Sequence, residues 1–164
     1  MNEMMRKKAV QTVEKLAEKK LVVSTAESCT GGMVAKLITD ISGSSEVFCG
    51  GIVSYANSVK ENVLGVSGET LEKYGAVSEN TAREMCIGSR KVCKSDIAVS
   101  TTGIAGPTGG TPEKPVGTVC FGITSDKGTR TFTMHFGEDR SRNEIRHAAS
   151  AFALDLIAEE ADKF

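Results

Sequence analysis

The stretch Leu21–Gly32, LVVSTAESCTGG, constrains this chain more than any other. It begins as an apolar, β-branched run, passes through Glu-Ser-Cys-Thr and ends in a glycine pair, after which Met33, Val34, Leu37 and Ile38 open a helical pattern. A short buried strand, a glycine turn and a helix make the start of a βα unit. In open α/β sheets ligands collect outside the carboxyl ends of such strands. Ser28 and Cys29 are both potential nucleophiles at this turn. Backbone N–H groups at a helix start are suited to an anion or an oxyanion.

The bulk properties are those of one compact domain. The chain has 164 residues, with 20 Lys and Arg against 21 Asp and Glu, so no broad basic field points to nucleic acid. No apolar run approaches the roughly 20 residues of a membrane helix. The N-terminus alternates charged and apolar residues, unlike a signal peptide or membrane anchor, so a cytoplasmic location is expected. The five cysteines form no CxxC pair, and with only two histidines, His135 and His147, no metal site is expected. Cys86 and Cys93, seven apart in a helical pattern, read as small core residues.

Periodicity supplies the remaining elements. Met4–Lys19 is an amphipathic helix, and the helix after Gly32 runs to about Ile41. Residues 42–45 form a loop, and Val47–Ala56 reads as a second strand with Gly50-Gly51 marking a bulge or close contact. Short helices follow from Asn57 or Ser58 to Leu64 and from Glu69 to Tyr74. Ser78 caps a longer helix, Glu79 to about Cys93. Asp96–Thr102 is a third strand that, like the first, ends in hydroxyls. It leads into a Gly/Pro loop over Gly103–Gly117, a length usually reserved for functional or mobile segments. Thr118–Thr124 and Thr129–Phe136 make a hairpin, and Ser141 caps a final amphipathic helix. The pattern predicts a three-layer α/β/α sandwich with a mixed sheet of about five strands.

If the first and third strands are parallel neighbours, both Gly-rich loops open on one edge of the sheet, ready for phosphate or carboxylate. Neither is a Walker loop or a G-x-G-x-x-G fingerprint, and no G-x-S-x-G elbow is present. A serine here needs a base from elsewhere. Lys60, near the start of the short helix after the second strand, sits where the helix dipole disfavours an ammonium, and burial would lower its pKa further. A solvated surface lysine is the competing reading. Tyr55, five residues upstream, is placed to orient or polarise the same site. Arg140, Arg142 and Arg146 cluster at the start of the last helix, where one suits a substrate phosphate.

The motifs TAESCTGG, GGIVSYANSVKENVLGV, GAVSE, GIAGPTGG and KPVGTV, in that order, resemble the CinA C-terminal domain family, and within it the stand-alone nicotinamide-mononucleotide amidohydrolases. The resemblance runs from about Lys20 to the last helix. It implies cofactor-free, metal-free deamidation of a small nucleotide, nicotinamide mononucleotide, to nicotinate mononucleotide and ammonia, in a homo-oligomer. It implies Ser28 as nucleophile, with Lys60 and Tyr55 as its catalytic partners. Glu27, Thr30, Gly31, Ser45, Thr102, Gly103, Ala105 and Gly106 are assigned to substrate binding. The family reads G-D-R before its last helix, whereas this chain reads GEDRSRNEIR; spacing to Arg146 favours Arg142 over Arg140 for the phosphate. The oxyanion would be held by N–H groups near Gly31 or Gly103. The chain opens on its first helix, so the additional N-terminal domain of some members is not expected. Two rivals stay open: a Cys29-dependent amidase, and a nucleotide-binding or regulatory module without turnover.

Overall fold

A computed structural model describes residues 3–164. The elements follow in the order α1 (Glu3–Lys19), β1 (Val23–Glu27), α2 (Met33–Thr39), a 3-10 turn (Ser44–Glu46), β2 (Phe48–Val53), α3 (Asn57–Leu64), α4 (Gly68–Tyr74), α5 (Glu79–Cys93), β3 (Ile97–Gly103), β4 (Thr118–Ser125), β5 (Gly128–His135) and α6 (Arg142–Ala161). The five strands form one mixed sheet in the order β2-β1-β3-β4-β5. β1 runs parallel to both β2 and β3, while β4 and β5 are antiparallel additions. Helices α1, α2 and α6 pack on one face and α3, α4 and α5 on the other, giving the expected three-layer α/β/α sandwich.

This connectivity places the site. The chain leaves β1 through α2 to reach β2 on one side, then returns across the opposite face through α5 to β3 on the other side. Such a reversal opens a crevice at the carboxyl ends of the central strands. β1 lies between two strands and two helical layers, so all five of its residues are buried, Ser24, Thr25 and Glu27 included. Buried polar groups have to be bonded, and Ser24 answers with Ser95 and Ser89 at 2.8 and 2.9 Å.

The elements have local causes. The Ser78 hydroxyl accepts from the Thr81 N–H to start α5, and Ser141 and Glu144 form a reciprocal capping box at α6. α6 is buried over more than one stripe, because it sits between the sheet and both α1 and α2. Gly88 interrupts α5 for a steric reason: a Cβ there would lie 1.9 Å from the Leu64 carbonyl oxygen. Only glycine lets the end of α3 dock this closely, and α3 carries Lys60.

Several expectations need correction. β2 ends at Val53 rather than Ala56, since Ser54–Ala56 must run on to α3. The expected loop over 42–45 winds into a 3-10 turn at Ser44–Glu46. Cys86 is a core residue, but Cys93 is only half-buried and lies against the exposed Cys49.

Candidate active site

Ser28 follows the last residue of β1, and its N–H donates to the Thr101 carbonyl of β3 at 2.9 Å. The turn beyond it is held from inside by Glu27. That carboxylate is 1% exposed and accepts the N–H groups of Gly32, Val34 and Ala35 at 3.0, 3.1 and 2.8 Å. It also takes the Thr30 hydroxyl at 2.6 Å and the Thr25 hydroxyl at 3.3 Å. An anion at a helix N-terminus satisfies orphan donors and the dipole together. The Glu27 carboxylate and the Thr30 hydroxyl, expected at the substrate, are engaged in building the turn that presents Ser28. The Gly31 N–H is consumed as well, donating to the Ser28 carbonyl at 3.1 Å, and Gly31 lies outside the cavity around Ser28.

Lys60 reaches Ser28 from the other side of the sheet. Its side chain is 1% exposed, so the surface-lysine reading does not hold. The amine Nζ lies 2.7 Å from the Ser54 carbonyl, 3.2 Å from the Tyr55 carbonyl and 3.1 Å from Ser28 Oγ. Burial pushes the Lys60 pKa below the ordinary lysine range, against a smaller opposing influence from Cys29. A neutral amine has two N–H bonds and one lone pair. As an ammonium, Nζ donates to all three oxygens; once neutral, it can keep its two N–H bonds on the carbonyls and turn the lone pair to the serine hydroxyl. This is the geometry of a nucleophile beside its general base.

Cys29 is buried at the same turn, and its thiol is pushed up to about 12, chiefly by that burial. A protonated thiol is a poor nucleophile. Ser28 is thus the better armed of the two adjacent candidates.

Ser28, Lys60, Tyr55, Thr102, Gly103, Ala105 and Arg142 line one cavity of about 210 Å³. Cys29 shares it, together with Asn57, Ala76 and Val77. These last three carried no chemical signal of their own in the sequence; the motifs GGIVSYANSVKENVLGV and GAVSE mark them only by resemblance. The Thr102 hydroxyl donates to the Ala76 carbonyl at 2.7 Å, fixing that wall, and Lys114 Nζ straps the long loop to the Tyr74 carbonyl at 2.8 Å. A larger groove of about 740 Å³, lined by α1 residues and Ala158, brings no hydroxyl or thiol beside an amine.

At the mouth, Arg142 donates to the Gly106 carbonyl at 2.8 Å and to the Tyr55 hydroxyl at 2.9 Å. Gly106 thus touches the site through Arg142 rather than lining it. Arg140 lies elsewhere, beside Met4, Met5 and His147. Tyr55 is 58% exposed and its hydroxyl is engaged by Arg142, so it is the Tyr55 carbonyl that meets Lys60. Ser45, expected at the substrate, lies apart from this cavity. It precedes β2, at the amino ends of the parallel strands, whereas Ser28 lies at their carboxyl ends.

A family model for the CinA C-terminal domain matches residues 5–161. A CinA-like protein of Kosmotoga olearia is 53% identical over 137 residues, covering 84% of this chain and 33% of that protein. A CinA-like protein of Thermotoga maritima is 47% identical over 145 residues, 88% of this chain and 35% of its own length. The chain therefore spans about a third of these curated relatives. Among solved structures, the competence/damage inducible protein CihA from Agrobacterium tumefaciens superposes with a TM-score of 0.94 at 39% identity, covering 99% of this chain and 98% of that one. A CinA superfamily protein from Klebsiella pneumoniae gives 0.93 at 30% identity, with both chains fully covered.

Proposed function

Since this chain belongs to the CinA C-terminal domain family, we propose that it is a serine amidohydrolase that deamidates nicotinamide mononucleotide to nicotinate mononucleotide and ammonia. One observation carries the reading: the buried Lys60 amine held between two backbone carbonyls and Ser28 Oγ. A base whose pKa is lowered by burial removes the serine proton at the moment of attack. A cavity of about 210 Å³ lies below the usual range for whole ligands, roughly 300–1,000 Å³. It suits a planar carboxamide ring, with the ribose phosphate left at the mouth. There Arg142 would exchange the Tyr55 hydroxyl and Gly106 carbonyl for the phosphate, to which a guanidinium binds more strongly.

The burial of Cys29 weighs against a cysteine amidase. The decisive assay is ammonia release from nicotinamide mononucleotide by purified protein. Release that is lost in Ser28→Ala and kept in Cys29→Ala supports the proposal. Ligand-dependent stabilisation without ammonia would instead make the chain a nucleotide-binding module.

A further inference from the structure

Amide cleavage by a serine requires, besides its base, a donor aimed at the oxygen that turns negative in the tetrahedral intermediate. The N-terminus of α2 is closed to that role. The Gly31 N–H is bonded to the Ser28 carbonyl, and those of Gly32, Val34 and Ala35 hold Glu27.

β3 offers the other bank of the crevice. The Ile104 N–H donates to the Thr118 carbonyl at 2.9 Å, while Thr102 stands opposite Cys120 and Gly103 opposite Val119. Along an antiparallel pair, residues alternate between exchanging hydrogen bonds and turning their backbone groups away. With Ile104 bonded to β4, Gly103 is the residue that turns away. Its N–H points to the side on which the Thr101 carbonyl receives the Ser28 N–H. Gly103 and Ser28 line the same cavity.

We infer that the backbone N–H of Gly103 is the oxyanion donor of this site, an assignment that rests on the acyl-transfer reading above. The need for glycine follows from β4: a Cβ on Gly103 would lie 2.7 Å from both the Thr118 carbonyl oxygen and Val119 Cγ2. Any side chain would push the backbone out of line.

The electron flow closes around this donor. Ser28 Oγ bonds to the carboxamide carbon, its proton passes to Lys60 Nζ, and the carbonyl electron pair moves onto the oxygen facing Gly103. Collapse breaks the C–N bond, and the nitrogen leaves as ammonia with the Lys60 proton. Water then adds to the acyl carbon through the same oxyanion. Its proton goes to Lys60, and Ser28 departs by taking that proton back.

The test replaces Gly103 by glycolic acid, exchanging the amide N–H for an ester oxygen. The probes are pyridine-3-boronic acid, which forms a tetrahedral adduct on a reactive serine oxygen, and nicotinamide as a ground-state competitor. The ester should weaken boronate binding on the order of 100-fold and leave nicotinamide within about twofold. The same exchange at Gly109 should change neither. Undiminished boronate binding by the Gly103 ester, equal loss of both ligands, or failure of the native protein to bind the boronate would each overturn the assignment. Native protein that binds the boronate with the expected ester effect, but releases no ammonia from nicotinamide mononucleotide, leaves the donor in place and refutes only the substrate.

Discussion

The turns after β1 and β3 look alike in sequence, each an apolar strand ending in hydroxyls and running into glycines, yet they are built in opposite ways. The β1 turn is filled from within: Glu27 takes three N–H groups and two hydroxyls, and what it presents to the crevice is a side chain, Ser28. The β3 loop is held from outside, by Thr102 on Ala76 and by Lys114 on Tyr74. What it presents is backbone. A glycine-rich turn is therefore not in itself an anion site. The decisive question is whether the protein has already supplied the anion.

If that contrast is right, the largest effect comes from the side chain that the first turn presents. Ser28→Ala should lower kcat by roughly a thousandfold or more, whereas Cys29→Ala should retain activity within a few-fold. Steady-state ammonia release checks both, and equal losses would break the comparison. Next in size is the internal anion. Glu27→Ala strands several buried donors and should cost roughly 3–5 kcal/mol in denaturant unfolding, a large share of ordinary domain stability.

The base gives a graded effect. Because the Lys60 pKa is lowered and its neutral form is the active one, kcat/KM should rise about tenfold per pH unit in acid and level off below the ordinary lysine range. A rate still climbing at the usual lysine pKa would show that the amine is not desolvated in solution. The smallest effect belongs to the brace on the second loop. Thr102→Val removes the bond to Ala76 and should cost about 1 kcal/mol of stability, with KM rising more than kcat falls. Unfolding curves and Michaelis parameters measure the two parts.

Much of this was readable in the residues because periodicity and turn chemistry are local. The strands and the caps at Ser78 and Ser141 follow from pattern, whereas the pairing of the first and third strands entered the sequence reading only as a condition and is supplied by the fold. Ser28, Lys60 and Arg142 were legible as residue types in suitable places. The destinations of Glu27 and Gly31 were not, since a carboxylate beside a ligand and one folded back onto a helix start have the same sequence. The position of Ser45 was hidden for a related reason: proximity to a motif along the chain says nothing about which end of the sheet a loop occupies. Asn57, Ala76 and Val77 stood inside the family motifs, but their place in one wall of the cavity emerged only with the fold.

The most direct measurement of the Ser28–Lys60 pairing is mass spectrometry of protein quenched in acid during turnover of nicotinamide mononucleotide. The account predicts a nicotinoyl adduct on the peptide containing Ser28, located on the serine and absent from Ser28→Ala. An adduct on Cys29, or ammonia release that persists undiminished in Ser28→Ala, would contradict it.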